Sequence, residues 1–521
     1  MKGGVFTLSQ QALPNRVECC VIGSGPAGAT LARALGRAGR QVLVLEEGPD
    51  LVGAALTQRD GEMYDQLYQN RGGRTTADLS ISVLGGRALG GGSVINACDV
   101  VPCHPSVLRI WQRKYGLSDY GPEQLAQDEQ AALLDLSANR PVEHADASGR
   151  PDKPTALNRN NRVLVQGCQA LGWRGEIMLH NRVGCAGLGT CLLGCPLSAK
   201  RNARMVQIPQ ALEAGVPFFL RARAKRIEHL ARDEQRITVA GLDPRGYHEQ
   251  TQHTLLAKQV FLAAGAISSA SLLLRSGLGN EHVGRRFLLQ PQLPVAAIFP
   301  APVRLFQGIP QSFAVTQFEQ IDHPEHGFWG FRIEAIGATP GMVSTMLPAV
   351  GAVSQKQMQR YADLAGALLL HPDTAMDPSR LVVDGDGRLH IEYSLSDEQK
   401  HRLRASVEAA VRVYLAAGAS QVIVPQSPGL HFAQLSDLPK VSNLSLKPAT
   451  LPLISAHQMG TVPMGDSPKR AACSPDGELY GTPGVFVVDS SLFPSSPSSH
   501  IMAPVLTVAG ALARRFLSRN L

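Results

Sequence analysis

The chain of 521 residues is 44% hydrophobic and 18% charged, which supplies a large core and excludes wholesale disorder. Its net charge of +7 is mild for that size, and Arg221, Arg223, Lys225 and Arg226 alternate with small or apolar neighbours as on a strand with one wet face, so nucleic acid is not an expected partner. No apolar run reaches the roughly 18 residues that cross a bilayer. The nine cysteines stand mostly alone in apolar surroundings, and residues 1–16 carry neither an apolar signal core nor a twin arginine; a disulfide framework is not expected and a cytoplasmic protein is.

Residues 17–22 read as a short buried strand broken by Gly23, residues 27–35 as a helix with small residues spaced for close packing, and residues 41–45 as a second strand that ends in Glu46-Glu47-Gly48. This is a βαβ unit at the start of the chain. Residues 140–161 are polar and contain proline, as in a surface excursion, and further strands are expected at 236–240, 259–264 and 485–488. Residues 381–384 and 389–393 flank Gly385-Asp386-Gly387 as a hairpin. Ser396 and Gln399 form a capping-box pattern ahead of Leu403, Val407, Val411 and Tyr414 at helical spacing, and Gly418 stops that helix. A last helix is expected at 504–517.

Gly23-Ser24-Gly25-Pro26-Ala27-Gly28 fits G-x-G-x-x-G between a strand and a helix. Glycines there permit a tight turn, close approach of backbone to a pyrophosphate and close helix packing, while the helix N-terminus offers free N–H groups to the phosphate charge. Glu46, closing the second strand, is placed to hold a ribose hydroxyl. A second glycine-rich stretch, Gly90-Gly91-Gly92-Ser93-Val94-Ile95-Asn96, is too long for a turn and suits backbone laid against a flat ligand, with Ser93 and Asn96 as side-chain hydrogen-bonding groups.

These motifs, with Phe261-Leu262-Ala263-Ala264-Gly265-Ala266, Ser455-Ala456-His457-Gln458-Met459-Gly460-Thr461 and the run from Val487-Val488-Asp489 through Ser499-His500 to Thr507, resemble the glucose–methanol–choline (GMC) flavin oxidoreductases in order and over nearly the whole chain. The resemblance implies an α/β chain: a Rossmann-like FAD domain assembled from residues 1–294 and 455–521, with an excursion at about 100–200, and a substrate domain of mixed or antiparallel sheet and helices at 295–454. It further implies that Gly23, Gly25, Ala27 and Gly28 line the FAD pyrophosphate and Glu46 holds the adenosine ribose. Gly91, Ser93, Asn96, Ala264, Asp489, Ser499 and His500 then lie along the rest of the cofactor. Some relatives attach FAD through a histidine just before the asparagine of the loop; Ile95 stands there, so FAD is expected to be non-covalent.

Oxidising an alcohol with a flavin needs a base for the hydroxyl proton while hydride leaves the carbinol carbon, and imidazole suits the first task because its pKa lies near operating pH. The resemblance assigns that base to His457 and its partner on the substrate oxygen to His500. Oxygen or an external carrier is the expected electron acceptor. Cyanohydrin lyases and the light-driven fatty-acid decarboxylase are also similar and form the alternative reading.

Cys185, Cys191 and Cys195 have neither zinc nor iron–sulfur spacing and lack a fourth ligand, so no metal is expected; the segment through Lys200 resembles the long-chain alcohol oxidase, sterol oxidase and photodecarboxylase branches. It is either a structural or active-site loop or a site of redox or metal chemistry. Phe306, Phe313, Phe318, Phe328, Trp329, Phe331, Met342 and Met346 line either an apolar pocket or an ordinary sheet core.

Overall fold

The structure, a computed structural model, describes residues 3–141, 157–347, 351–373 and 379–519. Two sheets organise it. The first has Gly4–Thr7, Pro217–Leu220, Val42–Leu45, Arg16–Ile22 and Glu249–Leu262 side by side and parallel, then Glu234–Leu242 and Ala222–Ala231 antiparallel. Cys19, Cys20, Val21, Leu43 and Val44 are fully buried, as strands covered on both faces require. The helix Pro26–Arg37 packs on this sheet beside the C-terminal helix Met502–Arg519.

Strand-end alignment explains how distant motifs meet. In register, Ile22 lies beside Leu45 and Leu262, and Leu262 beside Val487 of the short strand Val485–Val487. Gly23, Glu46, Ala263 and Val488 therefore leave the sheet at one edge, outside the carboxyl ends of parallel strands, where open α/β sheets place their ligands. The strand expected at 259–264 is the end of the longer Glu249–Leu262, whose first half pairs with the antiparallel meander.

The second sheet runs Leu430–Phe432, Gln421–Val424, Gln292–Ile298, Leu364–Leu370, Arg332–Ala335, Phe313–Val315 and Gly175–Ile177, antiparallel throughout. Leu453–Ser455 joins it at Gln292 and pairs in parallel with Ile81–Val83. Two of these strands, Ile81–Val83 and Gly175–Ile177, thus come from the N-terminal part of the chain.

The excursion expected at 140–161 needs correction at its end. Asn158 caps the helix Arg159–Leu171, and Asn160 and Asn161 are fully buried, their amides holding backbone of Ile336, Gly366, Ile309 and Phe313; residues 142–156 lie outside the described residues. Three buried asparagines are tolerated because each finds backbone partners.

The hairpin forms as Arg380–Val383 with Leu389–Glu392. The capping box is present: Gln399 N–H donates to Ser396 Oγ at 3.0 Å, and Ser396 N–H donates to the Gln399 side chain at 2.8 Å, opening the helix Asp397–Ala416. Ser396→Ala is expected to cost about 1 kcal/mol in chemical denaturation, as N-cap losses do; an unchanged midpoint would show that packing of Leu403, Val407 and Val411 holds this helix unaided.

Candidate active site

At Gly23 and Gly28 the backbone leaves no room for a side chain. Gly23 has φ +106°, and a Cβ there would stand 2.4 Å from the Ala263 carbonyl oxygen; one on Gly28 would stand 2.0 Å from the Gly23 carbonyl oxygen. Gly25 is the N-cap of Pro26–Arg37, with no side chain capping that end, and Ala27 is buried in the first turn. Glu46 braces the turn: Ser24 donates to its Oε2 from N–H at 3.0 Å and from Oγ at 2.6 Å, and Gly48 N–H donates to Oε1 at 2.7 Å. Burial raises the Glu46 pKa against the pull of those donors.

The second glycine loop crosses the first. A Cβ on Gly91, which has φ +56°, would lie 2.8 Å from Gly25 Cα, and Gly90 N–H donates to Ser24 Oγ at 3.1 Å. Ser93 Oγ donates to the Gly90 carbonyl at 2.6 Å and accepts from Ala203 N–H at 3.1 Å, closing the loop into a tight coil. Asn96 contacts Met502 Sδ at 2.9 Å through its amide nitrogen. Asp489 ties the third and fourth strand ends together: it accepts Gly265 N–H at 2.8 Å, Ser269 Oγ at 2.6 Å and Ser491 N–H at 2.9 Å, while Ser269 Oγ also accepts Ala264 N–H.

His457 and His500 meet. Their rings stand 4.9 Å apart at 72°, both buried. His457 follows the strand Leu453–Ser455, held by the mutual backbone hydrogen bonds of Leu288 and Met459. His500 precedes the C-terminal helix, and Arg332 Nη1 donates to the neighbouring Ser499 Oγ at 2.6 Å.

The two rings carry different protons. Gln290 Nε2 donates to the Ser498 carbonyl at 2.8 Å, which turns its Oε1 toward His457 Nδ1, also at 2.8 Å. An amide oxygen only accepts, so Nδ1 bears the hydrogen and Nε2 keeps its lone pair. Gln292 Nε2 stands farther from the same Nδ1, at 3.2 Å, and the shorter contact to the Gln290 oxygen sets the proton. Among the described residues His457 Nε2 has no hydrogen-bond partner. Burial, and then the charge on His500, press the His457 pKa down to about 3, so the ring is neutral. His500 Nε2 faces Glu334 at 2.8 and 3.1 Å. Burial disfavours its charge, but the Glu334 carboxylate outweighs burial and raises the His500 pKa. Glu334 itself is pulled down to about 2 by His500 and Arg332 against its own burial.

Sequence reading missed the groups that set these states. Gln290 adopts φ +46°, and its N–H and that of Leu289 donate to Asp373 Oδ2 at 3.1 and 2.8 Å. Asp373 also accepts from Tyr393 and Gln399, so the helix cap reaches Gln290 and His457 through one carboxylate. Arg332 and Glu334 left a signal: two charges two residues apart on one face of an otherwise apolar strand. Asp99 is fully buried, neither carboxylate oxygen has a partner among the described residues, and burial pushes its pKa up to about 7.

The aromatic stretch is largely core: Phe318 stacks on Phe331 at 4.7 Å, Phe306 on Tyr361 at 4.8 Å and Phe328 on His104 at 5.3 Å. Met342 instead joins the apolar cluster that contains Met63, Val94, Ile95 and Leu193, beside the second glycine loop. Among the described residues no group of three histidine, cysteine or carboxylate side chains is arranged to hold a metal ion, and no helix is long and apolar enough to cross a membrane.

Residues 64–292 and 375–509 match the GMC oxidoreductase family, and residues 21–81 match an NAD(P)-binding Rossmann-like domain. The chain is 31% identical over 512 residues to an uncharacterised GMC-type oxidoreductase of Mycobacterium tuberculosis, covering 97% of this chain and 76% of that one. It is 25% identical over 518 residues to a long-chain-alcohol oxidase of Arabidopsis thaliana, covering 96% and 69%. Among solved structures it is similar to pyridoxine 4-oxidase from Mesorbium loti, with a TM-score of 0.69 at 18% identity, covering 96% of this chain and 99% of that one. The chain therefore belongs to the GMC oxidoreductases, a family of FAD flavoproteins, and is an oxidoreductase acting on CH–OH donors.

Proposed function

We propose that this chain binds FAD non-covalently and oxidises an apolar alcohol, of lipid or natural-product type, to a carbonyl, with His457 as the base. The observation that carries the reading is the pair of buried imidazoles in opposite charge states. The cofactor site fits the residues present: two glycine turns cross where a Cβ on Gly23, Gly28 or Gly91 would collide, and the uncapped helix at Gly25 offers its N–H groups to a pyrophosphate. Ile95 carries no nucleophilic atom for a covalent link. FAD, when bound, supplies the hydride acceptor.

The protein residues then divide the remaining work. His457 Nε2 takes the hydroxyl proton. The His500 cation steadies the negative charge that develops on the substrate oxygen, and Glu334 keeps that cation charged. Gln290 holds the base in the required tautomer. The relatedness to a long-chain-alcohol oxidase supports an apolar substrate.

Mixing the yellow holoenzyme with long-chain primary alcohols in the dark without oxygen is expected to bleach the flavin band. Product without bleaching would transfer the enzyme to the lyase reading. His457→Ala is expected to keep FAD and to slow that bleaching by roughly 100- to 10,000-fold; an unchanged rate removes His457 from the chemistry.

The pH profile follows from the two imidazoles. His457 stays neutral down to about 3, so no acid limb is expected near the ordinary imidazole value of 6.5. His500 holds its proton above 6.5, so the rate is expected to fall on the alkaline side, as pH rises through that raised pKa. Glu334→Gln removes the anion and should shift the alkaline limb to lower pH. A limb that does not move would separate Glu334 from the charge on His500.

A further inference from the structure

The short strand Asp99–Val100, just past Asn96, carries buried polar groups that the proposed reaction does not use. It runs antiparallel to Leu179–His180, with Asp99 opposite His180 and Val100 opposite Leu179. Directly opposed residues share a face of the ladder, their Cβ atoms about 5 Å apart. Val100 and Leu179 pack with Met502, Ala503 and Leu506 of the C-terminal helix. Alternation therefore turns Asp99 and His180 away from that helix. Arg182, two residues beyond His180 and itself bridged to Lys200, shows what lies on their side. Its guanidinium donates to the Ala97 carbonyl and, at 3.4 Å, to Ser312 Oγ. Gln311, the neighbour of Ser312, donates to Glu334, the carboxylate that meets His500 at 2.8 Å. Asp99 and His180 thus look from the glycine loop toward the wall that carries His500.

Hydrogen-bond accounting defines what this face lacks. Asp99 is 4% exposed, and neither of its carboxylate oxygens has a partner among the described residues. His180 is 1% exposed. Its Nδ1 accepts the Arg182 backbone N–H at 3.3 Å, so the ring hydrogen sits on Nε2, which has no acceptor among the described residues. Arg182 Nε has none either. Burying polar groups in this state is costly, and native proteins rarely leave them unpaired. The carboxylate and the imidazole N–H face each other across one rung of a ladder with no bond between them. Each still needs a partner, and one group serves both only if it donates to Asp99 and accepts from His180. A hydroxyl does both. An ammonium donates only, a carboxylate accepts only, and a hydrocarbon does neither.

We propose that Asp99 and His180 form a polar subsite that takes a second hydroxyl of the substrate, which makes that substrate a diol on an apolar skeleton. The second hydroxyl donates to Asp99 and accepts from His180 Nε2–H, while the hydroxyl to be oxidised is the one delivered to His457. Asp99 and His180 then decide which alcohol is accepted, and neither moves a proton in the reaction. The inference rests on the alcohol oxidation proposed above and narrows its substrate class.

The test compares decanol with decanediols whose second hydroxyl is vicinal, central or terminal, by the second-order rate of flavin bleaching in the dark without oxygen. One of the diols is expected to exceed decanol by roughly 10- to 100-fold, the range of a hydrogen bond to a charged group. In Asp99→Ala that ratio is expected to fall to near one. His180→Phe gives the same reading independently should Asp99→Ala fail to fold with FAD. The subsite is overturned if no diol outruns decanol, as when a water alone bridges the pair, or if the preference survives in either folded variant. Bleaching by decanol without a diol preference removes the subsite and leaves alcohol oxidation standing. Bleaching by no alcohol at all removes both.

Discussion

Two imidazoles held 4.9 Å apart in a buried volume cannot both carry a proton without severe repulsion, so the site depends on which of them is charged. Glu334 makes that choice. Its fully buried carboxylate meets His500 at 2.8 Å and leaves His457 with no compensating anion of its own, so the proton rests on His500 and the lone pair on His457. The carboxylate is itself held by Arg332 and Gln311, and Arg332 is shared with Glu176 and Glu319. A buried ion pair of this kind contributes little net stability, but removing one partner strands the other and costs about 3–5 kcal/mol. Its value lies in fixing protonation.

Around that pair the fold supplies position. The parallel strands end at one edge and release Gly23, Glu46, Ala264 and Asp489 there, with Glu46 and Asp489 acting as braces whose oxygens are engaged by backbone N–H and serine hydroxyls. The antiparallel sheet supplies Gln292 and Glu334, and the segment that leads into its strand Gln292–Ile298 supplies Gln290. Gln290 spans both histidine segments, touching His457 with one end of its amide and the Ser498 carbonyl with the other, and Asp373 holds its backbone in a left-handed conformation. Movement of either histidine segment would break a bond that the other needs. Asp99, Arg182 and Lys200 form a second buried set of ionisable groups next to the glycine loop at Gly90–Asn96.

Much of this was legible beforehand at the glycine turns and in the two histidine segments. Gly23 to Gly28 is readable because a tight turn against a helix restricts residue type at fixed spacing, and the helix at 397–416 because its cap and apolar period are local. The excursion at 140–161 misled at its end because asparagine reads as solvent-loving, whereas Asn160 and Asn161 satisfy backbone groups inside the core. The aromatic run at 305–347 was ambiguous for a similar reason: ring content does not tell a core from a binding surface.

The sequence by itself determined the Rossmann-like start, the family and the identity of the two imidazoles, since each rests on short stretches whose local conformation restricts the residues allowed. Only the tertiary structure decided that His457 is neutral and His500 charged, and that Gln290 and Glu334 enforce it. Those outcomes come from burial and from partners more than ninety residues away in the chain, and neither the dielectric surroundings nor a long-range contact is written in the local order of residues.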